Sequence, residues 1–336
     1  MNANDDVSIS SAPRGFRRVA PAFALFFLSP FVAEMLLGDF AIDAIWIVLV
    51  VGPLYGGGAV IVRETARRLG RGWATLLLLA LAYGIFEEGI VIQTLFNPNY
   101  LGLHLLRHGY VPALGMSAWW TPFVLTLHTV WSISVPIAIV EALFPERRTQ
   151  PWLGRIGLGI SAGLMIGGAL LVHGATRKQD PFTASNVQLV STWIVLALVV
   201  ILALRCRPKA TRPAGAVPGV WVMGALALLW GLGFMSVNRL VQDWLLAGAQ
   251  WALDLVGFVL LVVFARRAAW TPLHTVAVAG GAMLAYACHG FPQEPVAGSK
   301  GVIDLVGNTL FAIVAVVLLV LAARKERALT SASHAP

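Results

Sequence analysis

Glu87 and Glu88 stand side by side in the run Tyr83-Gly84-Ile85-Phe86-Glu87-Glu88-Gly89-Ile90, inside an apolar stretch from Trp73 to Phe96. A charged side chain in hydrocarbon costs about 2.5–3.5 kcal/mol on insertion scales, so two acids in succession mark a position kept for function. Adjacent carboxylates in a low dielectric repel when both are ionised, which equips them to divide acid and base roles. His128 lies in the next apolar stretch, Trp119 to Phe144. At about 1.5 Å per helical residue, Glu88 is roughly 12 Å from the end of its helix near Phe96, and His128 roughly 13 Å from the start of its own. Helices joined by a short connection are usually neighbours, so matched depth predicts a carboxylate and imidazole pair. Gly84 and Gly89 leave room beside the acids.

Other polar groups are expected near the same level or at helix ends: Glu34, Asp43, Asp254, His173 and His289. Glu64 and Glu141 stand close to Arg63, Arg67, Arg147 and Arg148, which predicts surface ion pairs. His104 and His108 are spaced to chelate a metal if their segment is helical, but the run His104-Leu105-Leu106-Arg107-His108 reads better as an amphipathic surface helix.

The elements that must hold these residues follow from composition. The chain has 336 residues, 58% of them apolar and only 12% charged, against roughly 25% charged in a soluble protein. Its mean hydropathy is +0.79. Such a chain belongs in a lipid bilayer, which excludes a cytosolic enzyme and leaves no nucleic acid as partner, despite a net charge of +8. Ten apolar spans are expected: Ala20–Leu37, Phe40–Val62, Trp73–Phe96, Trp119–Phe144, Ile156–Gly174, Gln188–Leu204, Pro218–Asn238, Trp244–Ala265, Pro272–His289 and Asp304–Ala323. With the amino terminus inside, only Arg107, Arg177, Lys178, Arg239 and Lys300 of the 24 Lys and Arg fall outside. That bias predicts both termini in the cytoplasm. The fold expected is an all-α, polytopic membrane helix bundle in the cell membrane. A disordered tail covers residues 1–19, one bundle domain 20–323, and a second tail 324–336.

Trp73, Trp119, Trp120, Trp221, Trp244 and Trp270 start helices, where amphipathic rings favour the headgroup level. Gly159, Gly163 and Gly167 form a stripe for close helix packing, and Gly52, Gly56, Gly57 and Gly58 around Pro53 predict a bend or close crossing. Cys206 and Cys288 fall at opposite ends of the bundle and are expected unpaired.

In the order Glu87-Glu88, His128, His173, the chain resembles the CAAX-protease and bacteriocin-processing family of intramembrane proteases, built on a glutamate pair in one helix and histidines in later ones. The resemblance covers positions 87 to 173. It implies that Glu87 and Glu88 match the glutamate pair, His128 the first histidine and His173 the second. It further implies a lipidated or transmembrane peptide as substrate, with a glutamate activating water and histidines stabilising the oxyanion. From the residues alone, a proton- or cation-coupled transporter using the same acids, with Asp254 facing them, and a non-catalytic membrane subunit stay open. Metal, cofactor and oligomeric state are unknown from the sequence.

Overall fold

The computed structural model describes residues 16–207 and 211–332. The acidic and serine-rich stretch before Phe16, and the residues after Ala332, lie outside the described residues. The helices are α1 (Phe16–Pro30), α2 (Ile47–Arg68), α3 (Trp73–Phe86), α4 (Trp120–Leu127), α5 (Val135–Leu143), α6 (Arg155–Gln179), α7 (Asn186–Arg205), α8 (Val220–Leu240), α9 (Asp243–Ala265), α10 (Pro272–Gly290) and α11 (Val302–Ala332). Three π-helical segments extend or join them: Phe31–Met35 after α1, Glu87–Val91 after α3, and His128–Ser134 between α4 and α5. Counting α4, its π segment and α5 as one span, these make ten helical spans, one for each expected stretch. Among the described residues, nine are long and apolar enough to cross a bilayer. The tenth, α10, is richer in small residues and packs among α8, α11 and α5, where neighbouring helices rather than lipid cover it.

Helix extends into the described part of both expected tails. Residues 16–19 already belong to α1, and α11 continues through residues 324–332. At about 1.5 Å per residue its 31 residues span roughly 46 Å, more than the roughly 30 Å hydrocarbon layer, so its last turns reach beyond it.

The spans divide into an inner and an outer set. In the fourth span, Trp120–Leu143, 72% of the most apolar window is buried, against 11% for α7. Val187, Leu198, Leu170 and Leu255 of the outer helices are exposed apolar residues, as lipid contact requires. The inner set is α1 to α5 with α10, and α2 is its hub. A β-carbon at Gly56 would stand 2.1 Å from the Phe26 carbonyl oxygen of α1, one at Gly57 3.0 Å from Ser161 of α6, and one at Gly58 2.2 Å from the Tyr83 ring of α3. Successive residues turn about 100° on a helix, so three adjacent glycines admit three neighbours at contact distance. The predicted close crossing is there. The α6 stripe behaves otherwise: Gly159, Gly163 and Gly167 face open space, and α6 meets α2 through Ser161, Met165 and Gly168.

One end of the bundle is basic. Arg147 donates to the Arg18 carbonyl at 2.6 Å, Arg148 pairs with Glu326 at 2.8 Å, and Lys325 donates to the Leu143 carbonyl at 2.7 Å. The start of α1 and the end of α11 therefore lie on the same face. Glu64 and Glu141 are held here as well, but the expected surface pairing is corrected by their burial. Arg63 has zero exposure and uses all five of its N–H donors, on Glu141, Glu64 and the carbonyls of Gln150, Arg147 and Arg148. Its guanidinium also lies 3.4 Å from the Trp152 ring centroid. Arg147 and Arg148 supply backbone carbonyls rather than side-chain charge.

At the opposite end the connections pair with one another. Val296 N–H donates to the Asp39 carbonyl at 2.7 Å, and Ser299 donates twice to Asp43. The segment with His104 and His108 is not the expected surface helix. It holds a single 3-10 turn and a short hairpin, β1 (Tyr110–Val111) paired with β2 (Met116–Ser117). The two histidines are therefore not on one helical face. Trp221 and Trp244 are exposed as headgroup anchors should be, whereas Trp119 is buried against Trp120, Phe123 and His108. Cys206 and Cys288 are free.

Candidate functional site

Each π segment carries one of the polar residues singled out from the sequence: Glu34 in the first, Glu87 and Glu88 in the second, His128 in the third. A π turn inserts one residue into an α-helix and breaks the regular hydrogen-bond ladder, a distortion concentrated at functional sites. Two of the three have a visible cause in proline. Pro136 has no N–H to offer the Ser132 carbonyl four residues back; the Ser29 hydroxyl of α1 takes that carbonyl at 2.6 Å. Pro30 stands immediately before the first segment, where Leu36 N–H reaches back five residues to the Phe31 carbonyl. The third segment is further fixed by Trp131, stacked on Tyr286 of α10 at 4.5 Å and donating to the Ala282 carbonyl at 2.7 Å.

The Glu87–Val91 segment ends in a backbone reversal. Ile92 N–H bonds to the Glu87 carbonyl at 2.8 Å, and Gln93 then adopts φ +66°, a left-handed conformation that costs a non-glycine residue of order 1–3 kcal/mol. Gln93 is held there by accepting the Ala184 N–H at 2.8 Å. The reversal returns the chain past its own helix end, so the Thr94 hydroxyl donates to Glu88, and the Trp120 indole donates to Thr94 at 3.1 Å.

The expected carboxylate and imidazole pair is formed. His128 Nε2 lies 2.7 Å from Glu88 Oε1, and His128 Nδ1 lies 3.1 Å from the Ser132 hydroxyl and 3.2 Å from Glu87 Oε2. All three side chains are at most 5% exposed. Gly84 makes the approach feasible, because a β-carbon there would stand 3.1 Å from His128 Cβ; Gly89 does the same for Thr192 of α7. Glu88 is fully engaged, by His128 on one oxygen and Thr94 on the other. Glu87 is not. Tyr55 and Tyr83 turn their hydroxyls toward it, yet neither carboxylate oxygen completes a hydrogen bond, and the Tyr83 hydroxyl is likewise unbonded. The Tyr55 hydroxyl also faces Glu34, which extends the cluster to the first π segment.

Glu87, Glu88 and His128 each offer a donor atom within 4.8 Å of the others, a set able to hold a metal ion. His173, the fourth residue of the sequence reading, is elsewhere: its Nδ1 donates to the Val91 carbonyl at 2.7 Å and so steadies the end of the π segment. Asp254 accepts from Gln250, its neighbour one turn back on α9. Asp43 is exposed and caps the Ser299 turn.

Sequence reasoning missed Tyr55, Tyr83, Thr94 and Ser132. Two carried a signal, since Tyr83 precedes Glu87 by four residues and Ser132 follows His128 by four, one helical turn in each case. Two groups beyond the spans feel the cluster or border it. Burial first, then the negative charge of Glu88 and Glu34, raises the Tyr100 phenol. Burial pushes the Asp39 carboxyl up to about 6, against the opposing pull of the Gln293 amide.

With this geometry in place, the comparison that finds a match concerns the whole bundle. A family model matches residues 23–331. The chain belongs to an uncharacterized membrane protein family. That match reaches into all ten helical spans and covers the three π segments and the Glu87, Glu88 and His128 cluster, so the family is one of multi-pass membrane proteins in contact with the lipid bilayer. No curated protein and no solved structure is detectably similar to this chain.

Proposed function

We propose that this protein is an intramembrane hydrolase that cuts amide bonds in lipidated or transmembrane peptides, with Glu87, Glu88 and His128 as its centre. One observation carries the reading: a carboxylate with no hydrogen bond, Glu87, lies 3.2 Å from an imidazole that a second carboxylate holds in place. A buried acceptor left unbonded is costly, of order 1–3 kcal/mol, and is tolerated where a reacting molecule completes it. A water beside Glu87 would give its proton to that carboxylate while its oxygen attacks the peptide carbonyl carbon. The C–N bond then breaks and the proton passes to the departing nitrogen. Glu88 fixes the ring of His128 through Nε2, so Nδ1 is aimed at the same point, where it accepts from the water when the ring is neutral and donates to the developing oxyanion once the ring is protonated. The resemblance to the CAAX-protease and bacteriocin-processing family supports the same roles, and His173 acts here by positioning the π segment. The distribution of Lys and Arg supports a cell-membrane orientation with both termini cytoplasmic.

The test uses purified Glu87→Gln, Glu88→Gln and His128→Ala proteins in two assays, cleavage of lipidated and transmembrane peptides, and proton-linked uptake into liposomes. Cleavage by the parent chain that is lost in all three variants, without flux, is expected. Flux that depends on pH and vanishes in the same variants would replace the hydrolase with a transporter. Identical behaviour of parent and variants in both assays would leave the cluster without a role.

A further inference from the structure

The hydrogen-bond pattern around His128 leaves a mismatch that hydrolysis alone does not explain. With Glu88 ionised, its Oε1 accepts from Nε2 at 2.7 Å, so in the neutral ring Nδ1 carries a lone pair. That lone pair meets the Ser132 hydroxyl at 3.1 Å, and also Glu87 Oε2 at 3.2 Å, in a geometry that makes no hydrogen bond. In that neutral state two buried electron-pair donors thus face each other. Ligands of one tetrahedral zinc ion, at metal distances of about 2.0–2.1 Å, stand about 3.3 Å apart. The spacing of Glu87 and His128 is that of two ligands to one cation.

We infer that Glu87 and the Nδ1 atom of His128 bind a divalent transition-metal ion of the zinc type, with Glu88 orienting His128 from the far side. Three observations agree on it. Both Glu87 oxygens are fully buried and unbonded. Donor atoms of Glu87, Glu88 and His128 fall within 4.8 Å of one another. A carboxylate on the non-ligating nitrogen of the imidazole is the usual support of a metal-bound histidine, fixing its tautomer and raising its basicity. Imidazole nitrogen with carboxylate oxygen suits zinc and its neighbours better than calcium, which takes six to eight oxygens. Remaining positions are left to water, and a water so bound would be acidified without further protein groups. The inference goes beyond the hydrolase reading, because an ion would bind whether or not a peptide is cut.

The full chain, purified in detergent and stripped with chelator, is dialysed against zinc and its metal content measured, in parallel with Glu87→Gln, His128→Ala, Glu88→Gln and Asp254→Asn. One zinc per chain is expected for the parent and for Asp254→Asn, none for Glu87→Gln and His128→Ala, and roughly tenfold to hundredfold weaker binding for Glu88→Gln. Should a variant fail to fold, copper bound to the parent chain decides, since nitrogen coupling in its electron paramagnetic spectrum reports the imidazole. Absence of zinc uptake by the parent, uptake unchanged in the Glu87 and His128 variants, or a copper spectrum without nitrogen overturns the site. Cleavage by a parent chain that takes up no zinc would overturn the site and keep the hydrolase; bound zinc with no cleavage would do the reverse.

Discussion

Arg63 and Glu87 are both sealed from solvent inside the same group of helices, yet one has every donor engaged and the other has no hydrogen bond at either oxygen. Around Arg63 the guanidinium is met by two carboxylates, three carbonyls and the Trp152 ring, and Arg67 closes the circle on Glu141 at 2.6 Å. Breaking such a network leaves charges stranded, so its members act as structure. Around Glu87 the neighbours approach and stop short. The contrast teaches that burial of charge by itself does not mark a functional centre; incomplete satisfaction does.

Substitutions at the two clusters can break this contrast. The largest effect is expected for Arg63→Met, which takes a charged partner from both Glu64 and Glu141 and leaves the Gln150 and Arg148 carbonyls without their donor: a loss of about 3–5 kcal/mol, read as a collapse of the unfolding midpoint in detergent. Glu141→Gln keeps shape but removes charge opposite Arg63 and Arg67, and should cost about 1–3 kcal/mol by the same measurement. Asp39→Asn is expected to stabilise the protein. The Asp39 carboxyl has a folded pKa raised to about 6 from 3.8, so its contribution is favourable below pH 4 and is lost as pH rises through 6. The amide should therefore gain of order 1 kcal/mol at pH 7, discounted for partial exposure, and nothing at pH 4. Smallest in stability is Glu87→Gln, expected within about 0.5 kcal/mol of the parent when both are stripped of metal, because no hydrogen bond is lost, while abolishing the proposed cleavage. A Glu87→Gln protein as damaged as Arg63→Met would erase the distinction between the two clusters.

Much of the architecture is legible in the sequence because the bilayer imposes one rule on every span, about twenty apolar residues with basic ends. The pairing of Glu88 with His128 was legible for a related reason: rise per residue converts chain position into depth. Hydropathy is blind to what a single residue changes. The π segments shift phase by one position without altering composition, so the facing of Glu87 toward Tyr55 left no trace. Arg63 misled for the same reason, since a basic residue at a helix end reads as solvated whether or not Trp152 and Glu141 cover it. His173 shows the limit of order along the chain: its place after His128 says nothing about which way its ring turns, and it turns to the Val91 carbonyl.

A π turn is, in genetic terms, one codon more than the α turn it replaces. Deleting a single codon within Glu87–Val91 would restore regular winding, keep the flanking stretches in register with their neighbours, and rotate the two acids away from His128. The proposed chemistry and the architecture are therefore separable by an in-frame loss of three nucleotides.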